Sequence, residues 1–201
     1  MGLSAGVFDM RNLLFLCLLG SFVSCGFKSI PQSKNDVEAK LAEITNQYKR
    51  RADLIPSLVN VVKGYASHEK ETLQGVIAAR AKATSTTINA NNLNAGSMKA
   101  FSQAQSGLSS ALSKLMVVVE KYPNLKANEN FRDLQSQLEG TENRITVARN
   151  RYIKSIQQFN NLVTVPPESW TNSLFYKHQK MPQFTVENAQ SLETAPKVEF
   201  N

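Results

Sequence analysis

Between residues 35 and 165 apolar side chains recur every three or four positions, and that spacing leaves the chain few folds to choose from. The first segment carries Val37, Leu41, Ile44, Tyr48, Ile55, Leu58, Val62 and Tyr65 on one side, with Lys40, Glu43 and Gln47 on the other. A period near 3.5 lines such residues along one stripe of a helix, whereas a half-buried strand alternates every second residue. Pro56 interrupts the run. It removes the bond to the carbonyl of Ala52 and predicts a kink, but the stripe continues in phase, so one helix is expected across it. A second stripe follows at Leu73, Val76, Ile77, Ala81, Thr84 and Ile88. Gly64 loosens the chain ahead of it. Ser67 is available as an N-cap there, although Lys70 stands where a capping box needs Glu or Gln.

"NANNLNAGS" is a loop signal, with asparagines and a glycine around a lone Leu93. The third stripe holds Phe101, Gln105, Leu108, Leu112, Leu115, Val119 and Tyr122 and stops at Pro123. The fourth begins near Asn128 and holds Phe131, Leu134, Leu138, Ile145, Tyr152, Ile156, Phe159 and Val163, ending before Pro166-Pro167. Seven prolines and nine glycines are few for a sheet-rich domain of 201 residues. Four amphipathic segments with short connections predict an all-α fold, an antiparallel four-helix bundle over 35–165. No stripe is apolar all round, so the bundle should lie in water. Trp170, Leu174, Phe175, Tyr176 and Phe184, among Lys177 and Lys180, make 166–186 a short amphipathic C-terminal segment. It is expected to close the open end of the bundle, with a lipid interface as the other reading. Residues 187–201 have no periodicity and are expected to be a disordered tail.

The other end has a different character. Arg11 precedes "NLLFLCLLGSFV" and the small Ser24, the order of a secretory signal peptide over 1–24. The run is shorter than the roughly 20 residues of a spanning helix. Met10 would serve as a start as well as Met1. Cleavage after Ser24 would leave Cys25 first, and Val23 and Ser24 suit a bacterial lipobox, although Phe22 stands where Leu is usual. Lipidation of Cys25 is therefore expected, with 25–34 as a linker; a plain secretory cut is the alternative. Cys17, after the bulky Leu16, is a poor acylation candidate. With Cys25 acylated no thiol remains for a disulfide or for catalysis.

The stretches "NQYKRRADLIPSLVNVVKGYASHEKETL", "ARAKAT", "LSSALSKLMVVVEKYPNLKANENFRDLQSQLEGTENRITVARNRY" and "LFYKHQKMPQF" resemble the LemA family of bacterial envelope proteins. The resemblance implies a helical bundle behind an N-terminal signal or membrane anchor, held on the outside of a membrane. The chain departs from relatives with a transmembrane anchor by placing Cys25 after a short apolar run, which favours lipid.

Chemistry is sparse. The two histidines are His68 and His178, and Tyr65 and Phe175 stand three residues before them, so the Glu-x-x-His pairs of a di-metal bundle are missing. His68 with Glu71 offers two ligands, short of a metal site. No phosphate loop, nucleophile elbow or zinc spacing occurs. The serines of "SGLSSALSK" read as small residues that let helices approach. No catalytic residue, metal or cofactor is expected, and the protein reads as a non-enzyme. Two polar rows spaced by seven remain: Asn46, Asp53 and Asn60, and Gln135, Glu142 and Arg149. They can be solvated flanks, an interhelical polar belt that fixes register, or a ligand site. The sharpest expectation is Asp53, between Arg50-Arg51 and Leu54-Ile55, bonded to a side chain of 142–149, which makes the first and fourth helices neighbours.

Twenty-three Lys and Arg against 16 Asp and Glu give a net charge of +7. Export argues against nucleic acid, and "KRR", "EKE" and "ARAK" spread the charge along helices. Anionic lipid head groups beside an anchor are the simpler partner, with a protein partner unspecified. The expected function is a lipid-anchored scaffold or interaction module of the cell envelope, outside the cytoplasm. The alternative is a ligand-binding or stress-signalling accessory.

Overall fold

A computed structural model of the protein describes residues 10–90 and 93–184, with side chains from residue 27 onward. The side chains of the expected signal peptide over 1–24, Cys25 and the tail over 187–201 lie outside the described residues. The elements are α1 Met10–Tyr65, α2 Lys70–Ser85, α3 Ala95–Val119, α4 Pro123–Lys126, α5 Glu129–Thr164 and α6 Glu168–Thr171, continued by one π-helical turn, Asn172–Tyr176. The fold is all-helical, with no strand among the described residues.

Polar pairs fix the directions of the helices. Glu43 meets Arg151 at 2.6 Å and Arg51 meets Glu142 at 2.9 Å, so α1 and α5 run antiparallel and are neighbours as expected. The Tyr122 hydroxyl donates to Glu69 at 3.1 Å and Gln105 Nε2 donates to the Ala83 carbonyl at 3.2 Å, which sets α2 antiparallel to α3. The apolar stripes then form two cores in series. One joins Ile30, Val37, Leu41, Ile44 and Tyr48 of α1 to Ile145, Tyr152, Ile156 and Phe159 of α5, with Met98 and Phe101 of α3. The other joins Ile55, Leu58 and Val62 of α1 to Leu73 and Val76 of α2, Leu108 and Leu115 of α3, and Phe131 and Leu138 of α5.

α1 passes through two prolines, Pro31 and Pro56. Each lacks the amide that would bond the carbonyl four residues earlier, that of Phe27 and of Ala52. Both carbonyls are satisfied from elsewhere in the chain. Arg80 Nε of α2 donates to Ala52 O at 2.8 Å, and the Tyr176 hydroxyl donates to Phe27 O at 3.0 Å. The interruptions in the helix ladder thus become tertiary attachment points, one for α2 and one for the C-terminal turn. This is how the helix continues across Pro56 with the stripe in phase.

Helix starts follow local chemistry. Asn94 and Ser97 form a reciprocal capping box at α3, and Asn128 caps α5 by accepting from the Phe131 amide at 3.0 Å. The expected Ser67 cap is not used: α2 starts after Glu69, without a side-chain cap. Three further expectations are corrected. The stretch 25–34 belongs to α1 rather than to a linker, and Ile30 is fully buried. In α2 the buried stripe is Leu73, Val76 and Ala83, while Ile77, Ala81 and Thr84 face solvent, because the contact line follows α3 and not the neighbouring row. Tyr65 is 44% exposed, its hydroxyl accepting from the side chain of the Asn128 cap.

Beyond Pro166-Pro167 the chain folds back. The wide π turn carries Leu174 and Phe175 away from the buried side that Thr171 and Asn172 occupy. Lys177, at φ 54°, ends it. Residues 177–184 then run along the first core, held by two asparagines. Asn172 bonds both backbone groups of His178, and Asn160 both those of Met181, at 2.8 to 3.0 Å. Phe184 meets the ring of Tyr152 edge-on at 5.4 Å.

Candidate functional site

The two cores meet at a polar layer. Tyr48 closes one core and Ile55 opens the other, and the seam position between them is Arg51, which is 2% exposed. A guanidinium this deep needs its donors filled. Nη1 donates to Ser109 Oγ at 3.0 Å and to Glu142 Oε2 at 2.9 Å; Nη2 donates to Gln105 Oε1 at 2.8 Å and to its carbonyl at 3.2 Å. Nε has no acceptor among the described residues, but the Tyr48 ring centroid lies 5.3 Å from Cζ, a cation–π contact. Gln105, also buried, passes the network on to α2 through the Ala83 carbonyl. One cation therefore ties α1, α3 and α5 together directly and α2 through Gln105.

The expected polar belt is corrected by this layer. Asn46, Asp53 and Asn60 all face solvent, and Asp53 makes no bond to any described side chain of 142–149. Arg51, two residues earlier, takes the inward position, because it and not Asp53 lies in register with Tyr48, Ile55 and Leu58. On α5, Gln135 bonds only Glu139 among the described residues, one turn on along its own helix. Glu142 and Arg149 do reach α1, where Glu142 accepts from Arg51 and Arg149 Nη2 donates to the Tyr48 hydroxyl at 2.7 Å. Arg149 also lies 5.5 Å from the Phe184 ring.

Two grooves flank the layer. One, of about 340 Å³, lies between α1, the end of α2 and α3; Asn46 and Asp53 stand on its wall, with Thr84, Thr87, Phe101 and Gln105. The other, of about 350 Å³, lies between α3 and α5, with Arg51, Ser109, Leu138 and Glu142. His68 and Glu71 are both exposed, and no group of three His, Cys, Asp or Glu among the described residues could hold a metal. Burial, and secondarily the charge of Lys34, hold the His178 imidazole below its ordinary value, and the ring stacks on Tyr176 at 5.7 Å. Burial pushes the phenol of Tyr152 far above its ordinary range, and its hydroxyl has no partner among the described residues.

The far end of the molecule is apolar and exposed. Phe27 and Phe175 have ring centroids 4.7 Å apart at the start of the described α1 side chains, and Trp170 and Leu174, also exposed, stand on the same C-terminal turns as Phe175. Among the described residues no helix is long and apolar enough to cross a membrane.

None of the curated proteins compared with the chain matches it. The sequence profile of the LemA family matches residues 40–200, which takes in the polar layer, the second core, most of the first and the C-terminal turn, and the chain belongs to the LemA family.

Proposed function

We propose that the protein is a membrane-anchored interaction module of the bacterial cell envelope, without catalytic activity of its own, built as an antiparallel four-helix bundle from α1, α2, α3 and α5. The observation that carries this reading is the continuity of α1. Cys25 and the fully buried Ile30 belong to one helix, five residues and so roughly 7.5 Å apart. A lipid on Cys25 therefore holds the folded body directly at the surface and not on a tether. Filling of the interior by the Arg51 layer leaves binding to the outer faces and open grooves. The +7 charge favours anionic surroundings.

The test is at the anchor. Cys25→Ser should leave a larger, unprocessed precursor that takes up no labelled fatty acid, since two acyl chains secure a protein that one holds marginally. Normal processing and undiminished membrane retention of the variant would overturn the reading. A ligand-binding accessory is the second reading, favoured by the groove that Asn46 and Asp53 share with Thr84 and Thr87. A fraction of envelope extract that raises the thermal midpoint of the wild type, and not that of Asp53→Ala, would support it.

A further inference from the structure

We propose that the aromatic end of the molecule is a second membrane-contact site, seated in the head-group region of an anionic bilayer. The proposal rests on the anchored reading above and adds which residues touch lipid. Phe27, Trp170, Leu174 and Phe175 are 42%, 61%, 70% and 58% exposed, a concentration of large apolar side chains at one end. Such a patch in water marks a surface that something covers. It is held in place: Phe175 packs on Phe27, and the Tyr176 hydroxyl bonds the carbonyl that Pro31 leaves free. The rings are thereby fixed to the part of α1 that directly follows Cys25. Phe27 follows Cys25 by two residues, about 3 Å of helix rise. Whatever holds residue 25 at a bilayer brings these rings to its surface.

The charges select the surface. Lys28 follows Phe27 and Lys177 follows Tyr176 in the chain, both exposed; Lys180 is exposed three residues further on, and Lys34 is half-buried. Among the described residues, Asp36 and Glu168 line a separate groove with Gln32 and Asn161. Trp with Phe and Leu on an apolar face, flanked by Lys, is the composition that settles at a lipid interface, rings at head-group depth and ammonium groups toward phosphate. A second copy of the chain would cover the rings equally well but would bring Lys28, Lys177 and Lys180 against their own images. Anionic lipid neutralises them instead.

Trp170 is the only tryptophan of the chain, so the patch carries its own reporter. The full chain is incorporated into phosphatidylethanolamine vesicles with and without phosphatidylglycerol, and with lipids brominated at shallow or deep acyl positions. In the anionic vesicles Trp170 emission should shift to the blue and be quenched most by shallow bromines, and added salt should weaken both effects. Leu174→Asp with Phe175→Asp should lose the shift and the quenching while the protein still floats with the vesicles and keeps its helical circular dichroism. Lys177→Glu with Lys180→Glu, on exposed positions, should remove the preference for phosphatidylglycerol. If the wild type does not float, the anchored reading fails and this one with it. If it floats and Trp170 keeps water-like, unquenched emission, the membrane-contact site alone is overturned. A blue shift that needs no lipid and grows with protein concentration assigns the patch to a second copy and also overturns it.

Discussion

Glu142→Gln tests the polar layer most directly, because it changes a charge and almost nothing else. The Arg51 side chain is 3% exposed and that of Glu142 52%, so one partner of the pair is out of water and the other half in it. Breaking a fully buried pair costs about 3–5 kcal/mol, since an uncompensated charge is left inside. Exposed pairs contribute about 0–1 kcal/mol. With one partner on each side of that divide, Glu142→Gln should destabilise by about 1–3 kcal/mol. Arg51→Met removes the buried charge itself. It leaves Gln105 Oε1 without its donor, a loss of about 1–3 kcal/mol, partly offset by apolar burial, so about 0–2 kcal/mol net is expected. Once residue 51 is Met, no guanidinium is left to strand, and Glu142→Gln in that background should cost no more than about 0.5 kcal/mol. The coupling in the cycle is then about 0.5–3 kcal/mol. Urea unfolding followed by far-UV circular dichroism measures all four proteins, with equal slopes as the check that the same transition is compared. Equal costs of Glu142→Gln in both backgrounds would refute the argument and mean that Arg51 is neutralised by something other than Glu142.

The remaining expectations concern single groups. Tyr152→Phe removes a buried hydroxyl with no described partner and should be neutral or stabilising by about 1 kcal/mol in urea unfolding; a loss above about 1 kcal/mol would show that the hydroxyl is bonded, to a water for example. Arg80→Ala should cost about 1–2 kcal/mol in the wild type and clearly less after Pro56→Ala, because residue 56 then supplies the amide that Ala52 O lacks; equal costs would mean that the Arg80 bond has nothing to do with the proline. His178 titrates below its ordinary 6.5, so the unfolded chain takes up its proton first as pH falls. Its contribution is complete above about pH 6.5 and lost as pH drops toward the lower folded value, with Lys34 opposing the new charge. The thermal midpoint should therefore fall through that window more steeply for the wild type than for His178→Gln, and parallel curves would rule the residue out.

What the sequence disclosed was periodicity, and what it withheld was rotation. The third and fourth stripes are buried largely where their spacing placed them, and α5 starts at Asn128 and ends before Pro166 as its punctuation required. On α2 the stripe was offset to Ile77, Ala81 and Thr84, because a short helix with many alanines has two rows of similar apolarity and only the partner decides between them. The continuation of α1 through 25–34 was hidden for a related reason. Pro31, among polar residues, reads as a break, and the group that compensates it, the Tyr176 hydroxyl, lies 149 residues along the chain from the Phe27 carbonyl it bonds. No local window contains both.

The site was partly legible, in a place where the stripes were incomplete. On α1 the apolar positions jump from Tyr48 to Ile55, and on α5 from Leu138 to Ile145; each gap is a full heptad where one seam residue is missing. On α3 the corresponding seam residue is Gln105. The missing seam position of α1 is Arg51, and in the gap of α5 stand the buried Thr141 and the adjacent Glu142. Reading the polar rows by sevens selected Asp53, two residues past Arg51 and so roughly 200° around the helix, since a row that flanks a stripe and a row that interrupts it have the same spacing. The interruption is the informative one. A cation admitted into a seam must meet acceptors at one height on every helix that faces it, and apolar side chains slid along by a turn would leave it bare. Arg51 therefore acts against any register in which Gln105 and Glu142 do not arrive together, which is why the two cores meet at its level and remain separate on either side of it.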